Sequence, residues 1–293
     1  MQQTIYFSRK ISEVKEHEIF NYLKKYEIPS EEKYVKNQFL YNDLTIKIYE
    51  SKKGLTLFIN GNKRKIKSLL EKLGIHFLTF INYEDQIGSD EVGTGDFLLP
   101  IIVVATMVRK KDIPLIEKYS ITDSKSLNDE KIRKIGPIIS KKFHFSKLTL
   151  TNEKYNEMIK KGYDINILKA KLHNRVLLNL KKEFEDINNV FIDQFVQEKT
   201  FFKYLKDEDE TINNLTFKTK GETYYPSVAL ASVIARYSLL LYKDKLSEKY
   251  RIDIPLGAGK NVDLIAKKFI KEYGFDEFKK IAKLDFNNMN KLD

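Results

Sequence analysis

The chain has 293 residues, 42% apolar and 12% aromatic, enough for one large or two modest globular domains. It contains no cysteine, which excludes disulfides, thiolate metal sites and cysteine nucleophiles and fits a reducing, intracellular setting. The net charge is +11, with Lys supplying 45 of the 52 basic residues, so a phosphate-rich partner is the natural inference, although a general Lys bias in a chain rich in Asn and Ile would raise the total without any ligand.

The opening stretch, MQQTIYFSRKISE, lacks the apolar core of a secretory signal. The first 75 or so residues alternate between strand-like and helical runs. TIYFS (4–8), LTIKIYE (44–50) and LTLFIN (55–60) have the β-branched and aromatic character of strands. SEVKEHEIFNYLKKY (12–26) carries Val14, Ile19, Phe20, Leu23 and Tyr26 at helical spacing behind a Ser cap. NGNK (60–63) supplies a turn, and KIKSLLEKLG a second amphipathic helix ended by Gly74. Charge is concentrated here: residues 1–82 hold 15 basic and 9 acidic side chains, and Lys52 to Lys72 holds seven basic residues against Glu71 alone. A local patch of that kind is not explained by a general Lys bias. The boundary is expected around HFLTFINYEDQ (76–86), which is not a Gly/Ser/Pro linker.

From residue 86 the rhythm changes. A strand leads into Asp90, and FLLPIIVVATMV (97–108) contains the continuous apolar run of a strand buried on both faces. At 12 residues it is too short to span a membrane, which takes ~20. A soluble cytoplasmic protein is therefore expected. KKFHFSKLTLT (141–151) alternates as a strand should, so His144 reads as structural. NNVFIDQF (188–195) is a short buried strand with an acid at its end, and NLTFKTKGE (214–222) a strand running into a turn. Helices are predicted over 128–141, 152–186 with a break near Gly162, 226–247 and 261–271. Strands alternating with helices predict an α/β or mixed α+β layer fold with a covered sheet.

Asp193 stands at the carboxyl end of its strand, Asp90 follows another, and Glu222 lies just past a third. Ligands in such sheets sit outside the carboxyl ends of the strands. Pro226 opens a helix on which Val228, Ala231, Ser232 and Ala235 form a face of small residues, letting it lie close to the sheet. Asp90, Glu91, Asp193 and Glu222 could thus converge on one edge, where they would repel one another unless a hard divalent cation intervened. If the first strand ends at Asp90, both neighbouring acids can reach the same ions. Each acid also has a plainer reading: a solvated Asp-Glu-x-Gly turn, a turn cap at Asp193, a surface residue at Glu222. GTGDFL is no dinucleotide fingerprint, since Leu98 stands where the third glycine belongs. IPLGAGKN is no P-loop, since Ile254 replaces the first glycine and Asn261 the Ser/Thr. His17, His76, His144 and His173 show no metal-ligand spacing, and no serine nucleophile arrangement is visible.

The ordered set IGSDEVGTGDFLLP, TDSKSLND, LHN, FIDQF, KGETYYPSVALASVIARYSLL and PLGAGKNVD resembles the bacterial type 2 ribonucleases H, the ribonuclease HIII subgroup in particular, over residues 86 to 265. The N-terminal part is similar to that subgroup's TATA-box-binding-protein-like domain in length, strand-helix order and basic patch. The resemblance implies a substrate-binding domain at 1–82 and a catalytic domain of ribonuclease H-like fold at 83–293, a mixed sheet with flanking helices. It implies endonucleolytic cleavage of RNA paired with DNA, with Asp90, Glu91, Asp193 and Glu222 as both catalytic residues and ligands of two Mg²⁺ ions, Mn²⁺ being a possible substitute. Water would attack the RNA phosphate in line, leaving 5′-phosphate and 3′-hydroxyl ends. The backbone of Gly93, Thr94 and Gly95 would read 2′-hydroxyls. Ser124 and Lys125 would meet the substrate, as would Lys63, Arg64, Lys65 and Lys67 from the N-terminal domain. A monomer acting on an RNA/DNA hybrid, with no membrane partner, is expected.

Gly93-Thr94-Gly95, where the sister ribonucleases HII usually carry a central arginine, and Glu222, where they usually have Asp, both point to the HIII subgroup. The first block departs from the family's usual aromatic and Gly before the proline, reading Phe97-Leu98-Leu99-Pro100. The rival readings are a ribonuclease HII-like enzyme cutting at single ribonucleotides in DNA and a non-catalytic nucleic-acid-binding protein. The latter has no need of four strand-end acids. A nucleotide-dependent phosphotransferase is disfavoured by the failed P-loop.

Overall fold

A computed structural model describes residues 4–52, 54–75, 80–119, 121 and 127–292. The chain divides into two compact units, Met1–Leu78 and Thr79–Asp293. Among the described residues no helix is long and apolar enough to cross a membrane.

In the first unit β1 (Thr4–Ile11), β2 (Val35–Tyr41), β3 (Leu44–Ser51) and β4 (Gly54–Asn62) form an antiparallel sheet in the order β1-β4-β3-β2. Helices α1 (Glu13–Leu23) and α2 (Lys63–Lys72) accompany it. Their Ile19, Leu23, Ile66, Leu69 and Leu70 share one core with Phe39, Ile46, Ile48, Leu57 and Ile59 of the strands. The expected caps are in place: Ser12 accepts from the Lys15 N–H, and Gly74 follows α2 at φ +61°. Strand β2 is not among the elements expected from sequence. Its polar VKNQ start hides the alternation, and what secures it is the Asn42-Asp43 turn, with both residues at positive φ, the conformation of a two-residue hairpin.

The second unit holds a five-stranded mixed sheet in the order β7-β6-β5-β8-β9, built from β5 (Gln86–Val92), β6 (Ile101–Val108), β7 (Phe145–Leu150), β8 (Asn189–Asp193) and β9 (Leu215–Lys218). Strands β5, β8 and β9 run parallel, while β6 and β7 alternate antiparallel beside them. The helices are α3 (Ile113–Lys118), α4 (Asp129–Lys142), α5 (Asn152–Lys160), α6 (Ile165–Glu183), α7 (Glu198–Tyr204), α8 (Pro226–Tyr250), α9 (Lys260–Tyr273) and α10 (Phe275–Ile281). The break between α5 and α6 comes at Gly162, at φ +87°, as predicted. Strand β7 is shorter than expected, because residues 141–142 complete α4. His144 therefore precedes the strand, lying exposed with Nδ1 3.2 Å from Glu183.

Strand β6 shows why a continuous apolar run is needed. Ile102 and Val104 join a core with α4, α8, α9 and α10, while Ile101, Val103 and Ala105 join another with α6 and α7. Helix α8 lies close to β5 at Gly88. A Cβ there would come 2.3 Å from the Ser227 hydroxyl and 2.7 Å from the Val228 nitrogen. Gln86 Oε1 accepts from the Ser227 hydroxyl at 2.9 Å, and Thr106 donates to the Ser227 carbonyl at 2.7 Å, pinning the start of α8 against two strands. Gly88→Ala should consequently lower stability by about 1–3 kcal/mol in denaturant unfolding. Gly95→Ala, where a Cβ meets nothing within 4 Å, should shift it by less than about 0.5 kcal/mol.

Candidate active site

Strand β5 does not end at Asp90 as expected. It continues to Val92, with Asp90 opposite Val104 and Glu91 opposite Val103 on β6. The two acids consequently point to opposite faces of the sheet. Gly88 and Asp90 face α8, the latter meeting Ser232; Ser89 and Glu91 face α6. What frees them is β8, whose pairing with β5 stops at Ser89. Beyond that point β5 is an open edge, and side chains from both faces can reach round it.

Asp193 ends β8, and its Oδ1 accepts from the Gly221 N–H at 2.8 Å. Glu222 sits on the short 3₁₀ turn Gly221–Thr223 that leads into α8. Asp90, Glu91, Asp193 and Glu222 all line one pocket of about 440 Å³, together with Asp129, Ser232 and Arg236. Three chain segments therefore bring the predicted acids together at the carboxyl ends of the parallel strands.

Each carboxylate is held differently. Asp90 is almost fully buried, and burial, reinforced by the charges of Glu91 and Asp193, pushes its carboxyl well above the usual range. The Glu91 N–H, 2.7 Å from Asp90 Oδ1, offsets part of this. Burial also pushes Asp193 up, against the Gly221 N–H. For Glu91 burial again acts upward, but His173 and Lys169 outweigh it and hold the carboxyl below the usual range. Lys169 Nζ lies 2.5 Å from Glu91 Oε1 and 3.9 Å from the centre of the Phe195 ring. His173 Nε2 lies 2.9 Å from Glu91 Oε2, and its Nδ1 2.8 Å from the Ser89 hydroxyl. Facing a carboxylate, Nε2 is the donor to Glu91, while the Ser89 hydroxyl can donate to or accept from Nδ1. Among the described residues no three His, Asp or Glu side chains are already drawn around a single ion position.

Sequence reasoning misses Lys169, His173, Ser232 and the Arg236–Asp129 ion pair, at 2.9 and 3.1 Å. LHN, among the resemblance blocks, is the one signal for His173; nothing marks Lys169. The glycine loop leaves β5 directly. Gly93 has φ +89°, and a Cβ there would sit 1.9 Å from the Pro100 carbonyl oxygen, so only glycine fits. Its unusual exit, Leu98-Leu99, is wholly buried in the α8-side core. Ser124 and Lys125 lie outside the described residues. Lys63, Arg64, Lys65 and Lys67 start α2 in the first unit, where Arg64, Lys65 and Lys67 are exposed and Lys65 is 2.6 Å from Asp43. On the sheet of that unit, Tyr6 is exposed and stacks on Phe58, whose edge meets Tyr49.

Residues 87–289 match the family model described as Ribonuclease HII. Ribonuclease HIII of Bacillus cereus (strain AH187) is 44% identical over 208 residues, covering 70% of this chain and 67% of that protein, and that of Bacillus anthracis (strain CDC 684 / NRRL 3495) is equally similar. Among solved structures, Bst-RNase HIII in complex with Mn²⁺ superposes at a TM-score of 0.72, with 28% identity and 98% of each chain covered. Aquifex aeolicus RNase H3 superposes at 0.57 with 22% identity, covering 96% of this chain and 100% of that one. The chain belongs to the ribonuclease HII family, on its ribonuclease HIII branch, and is a ribonuclease H endonuclease.

Proposed function

We propose that this ribonuclease H hydrolyses the RNA strand of RNA/DNA hybrids at the carboxylate pocket, with Asp90, Glu91, Asp193 and Glu222 holding two divalent cations, Mg²⁺ or in its place Mn²⁺. The products would carry 5′-phosphate and 3′-hydroxyl ends. One observation carries the reading: a nearly buried Asp90 lies in one pocket with Glu91, Asp193 and Glu222, and burial together with the charges of Glu91 and Asp193 raises its proton affinity. Such a group of anions is satisfied by a cation, and an all-oxygen donor set suits a hard one. The Mn²⁺ complex of Bst-RNase HIII is consistent with this. When bound, such ions neutralise charge on the phosphate and lower the proton affinity of an attacking water.

The chain's own residues set the stage for that chemistry. The Glu91 N–H and Ser232 orient Asp90. The Gly221 N–H occupies one oxygen of Asp193 and leaves the other free to turn toward the pocket. Lys169 and His173 keep Glu91 ionised and hold it in place. The Gly93-Thr94-Gly95 backbone would read the 2′-hydroxyls that distinguish RNA from DNA. The N-terminal unit would bind the duplex through Lys63, Arg64, Lys65 and Lys67.

Incubation with Mg²⁺ and an end-labelled RNA/DNA hybrid, beside a DNA duplex containing one ribonucleotide, tests the reading. Cutting along the hybrid, weak attack on the single ribonucleotide and no cutting by Asp90→Asn are expected. Strong cleavage at the single ribonucleotide would indicate an HII-like activity, and binding without cleavage in Mg²⁺ or Mn²⁺ would overturn the proposal. Lys169→Met, which removes the ammonium beside Glu91, should lower kcat/KM by about 10–100-fold.

Asp90→Asn should also raise stability at pH 7 in EDTA. Because the folded-state value of Asp90 lies above the unfolded one, the native state binds its proton more tightly, and stability falls as pH rises through that window. The amide removes this penalty, and a higher Tm than that of the wild type is expected by calorimetry. Replacing Lys63, Arg64, Lys65 and Lys67 together by Ala should weaken hybrid binding. The slope of log K against log salt should flatten by about 0.9 for each phosphate that is no longer neutralised.

A further inference from the structure

Lys283 follows α10 and has no exposed surface. Its ammonium donates to the carbonyl oxygens of Gly93 at 2.8 Å, of Leu99 at 2.5 Å, and of Asp96. An ammonium has three donors, so the set is complete. The Asp96 carboxylate does not pair with it but accepts from the Gly257 N–H. Burial lowers the Lys283 pKa to about 8, against the charges of Asp96 and Asp285, so at neutral pH all three donors remain.

The position of the ammonium is fixed from several sides. The Lys283 N–H donates to the Phe97 carbonyl at 3.0 Å. Asn156 of α5 brackets the segment, donating to the Ala282 carbonyl and accepting from the Leu284 N–H. The Phe97 ring packs between Phe278 and Phe286, each centroid 5.9 Å away. A buried charge is costly unless fully hydrogen-bonded, and an apolar side chain of equal length could fill the same space. What the lysine supplies is direction: it draws three carbonyls of one loop toward a single point.

That direction has a consequence on the opposite side of the loop. In a planar trans peptide the C=O of one residue and the N–H of the next point opposite ways. With the Gly93 carbonyl aimed at Lys283, the Thr94 N–H is aimed away from it. Among the described residues neither the Thr94 nor the Gly95 N–H makes a hydrogen bond within the protein. We propose that Lys283 is a positioning residue for substrate recognition, which holds the 93–99 loop so that the Thr94 N–H faces a 2′-hydroxyl of the RNA strand. The inference rests on the reading that this loop contacts 2′-hydroxyls.

The test compares KM and kcat for an RNA/DNA hybrid with those for the same hybrid carrying 2′-deoxynucleotides beside the main cleaved linkage. The proteins are the wild type, Lys283→Met, and Lys283→Cys aminoethylated while unfolded and then refolded. Because the chain has no cysteine of its own, the alkylation rebuilds a lysine-like ammonium at one position. Wild-type KM should rise about tenfold on the 2′-deoxy substrate, the size of one missing hydrogen bond. Lys283→Met should show that higher KM already on the all-RNA strand, with kcat changed by less than about twofold and no further response to the 2′-deoxy change. Aminoethylation should restore the wild-type pattern. Should Lys283→Met fail to fold by circular dichroism, Lys283→Gln, with two donors, carries the same comparison. A wild type indifferent to the 2′-deoxy change would defeat the loop reading and this inference with it. A normal wild-type response retained in full by the Lys283 variant would defeat only the role of Lys283.

Discussion

The repulsion among carboxylates at the end of β5 is the constraint around which the second unit is arranged. Asp90, Glu91, Asp193 and Glu222 share one pocket, and such anions would drift toward water if nothing held them. Asp90 is enclosed against α8, and its proton affinity rises in consequence. Glu91 receives two partners from α6 and is kept ionised. Asp193 receives a backbone N–H. Glu91 leaves the sheet on the α6 face, whereas Asp90 and Asp193 belong to the α8 face, where Ser232 and the Gly221 N–H respectively meet them.

Sheet topology makes this possible. A strand displays alternate residues on opposite faces, so adjacent acids within a fully paired strand could not share a site. Strand β5 continues for three residues, Asp90 to Val92, beyond its last pairing with β8. Over that overhang the sheet has an edge, and the distinction between faces loses its force. The close approach of α8 at Gly88 completes the arrangement by seating Ser232 above Asp90 and the Glu222 turn at the start of the same helix.

Much of this is legible in the sequence because it is encoded locally. Acids at strand ends, the small-residue face of α8, the break at Gly162 and the glycine loop are each read from neighbouring residues. Strand β2 escapes because the propensity of its first half is weak and its pairing partner decides it. Lys169 and His173 escape for a different reason: they act on Glu91 from about eighty residues away, and a lysine or histidine in an amphipathic helix carries no local mark of its partner. Lys283 is further still from the loop whose carbonyls it gathers.

The net charge points to a phosphate-rich partner, yet two lysines of the second unit, Lys169 and Lys283, are buried and act only on the groups they touch. Lys169 is nearly buried against Phe195 and neutralised by Glu91, and Lys283 is wholly enclosed. Cations at these depths interact strongly with fixed dipoles and carboxylates because little water screens them. Exposed residues such as Arg64 and Lys67 would act on a polyanion only through a long-range, salt-screened attraction that carries no geometric information. The chain thus uses one residue type in two regimes: many lysines outside, where number matters, and a few inside, where direction does. A basic composition points to the first regime alone, and the second becomes visible only when the fold shows which carbonyl or carboxylate each buried ammonium faces.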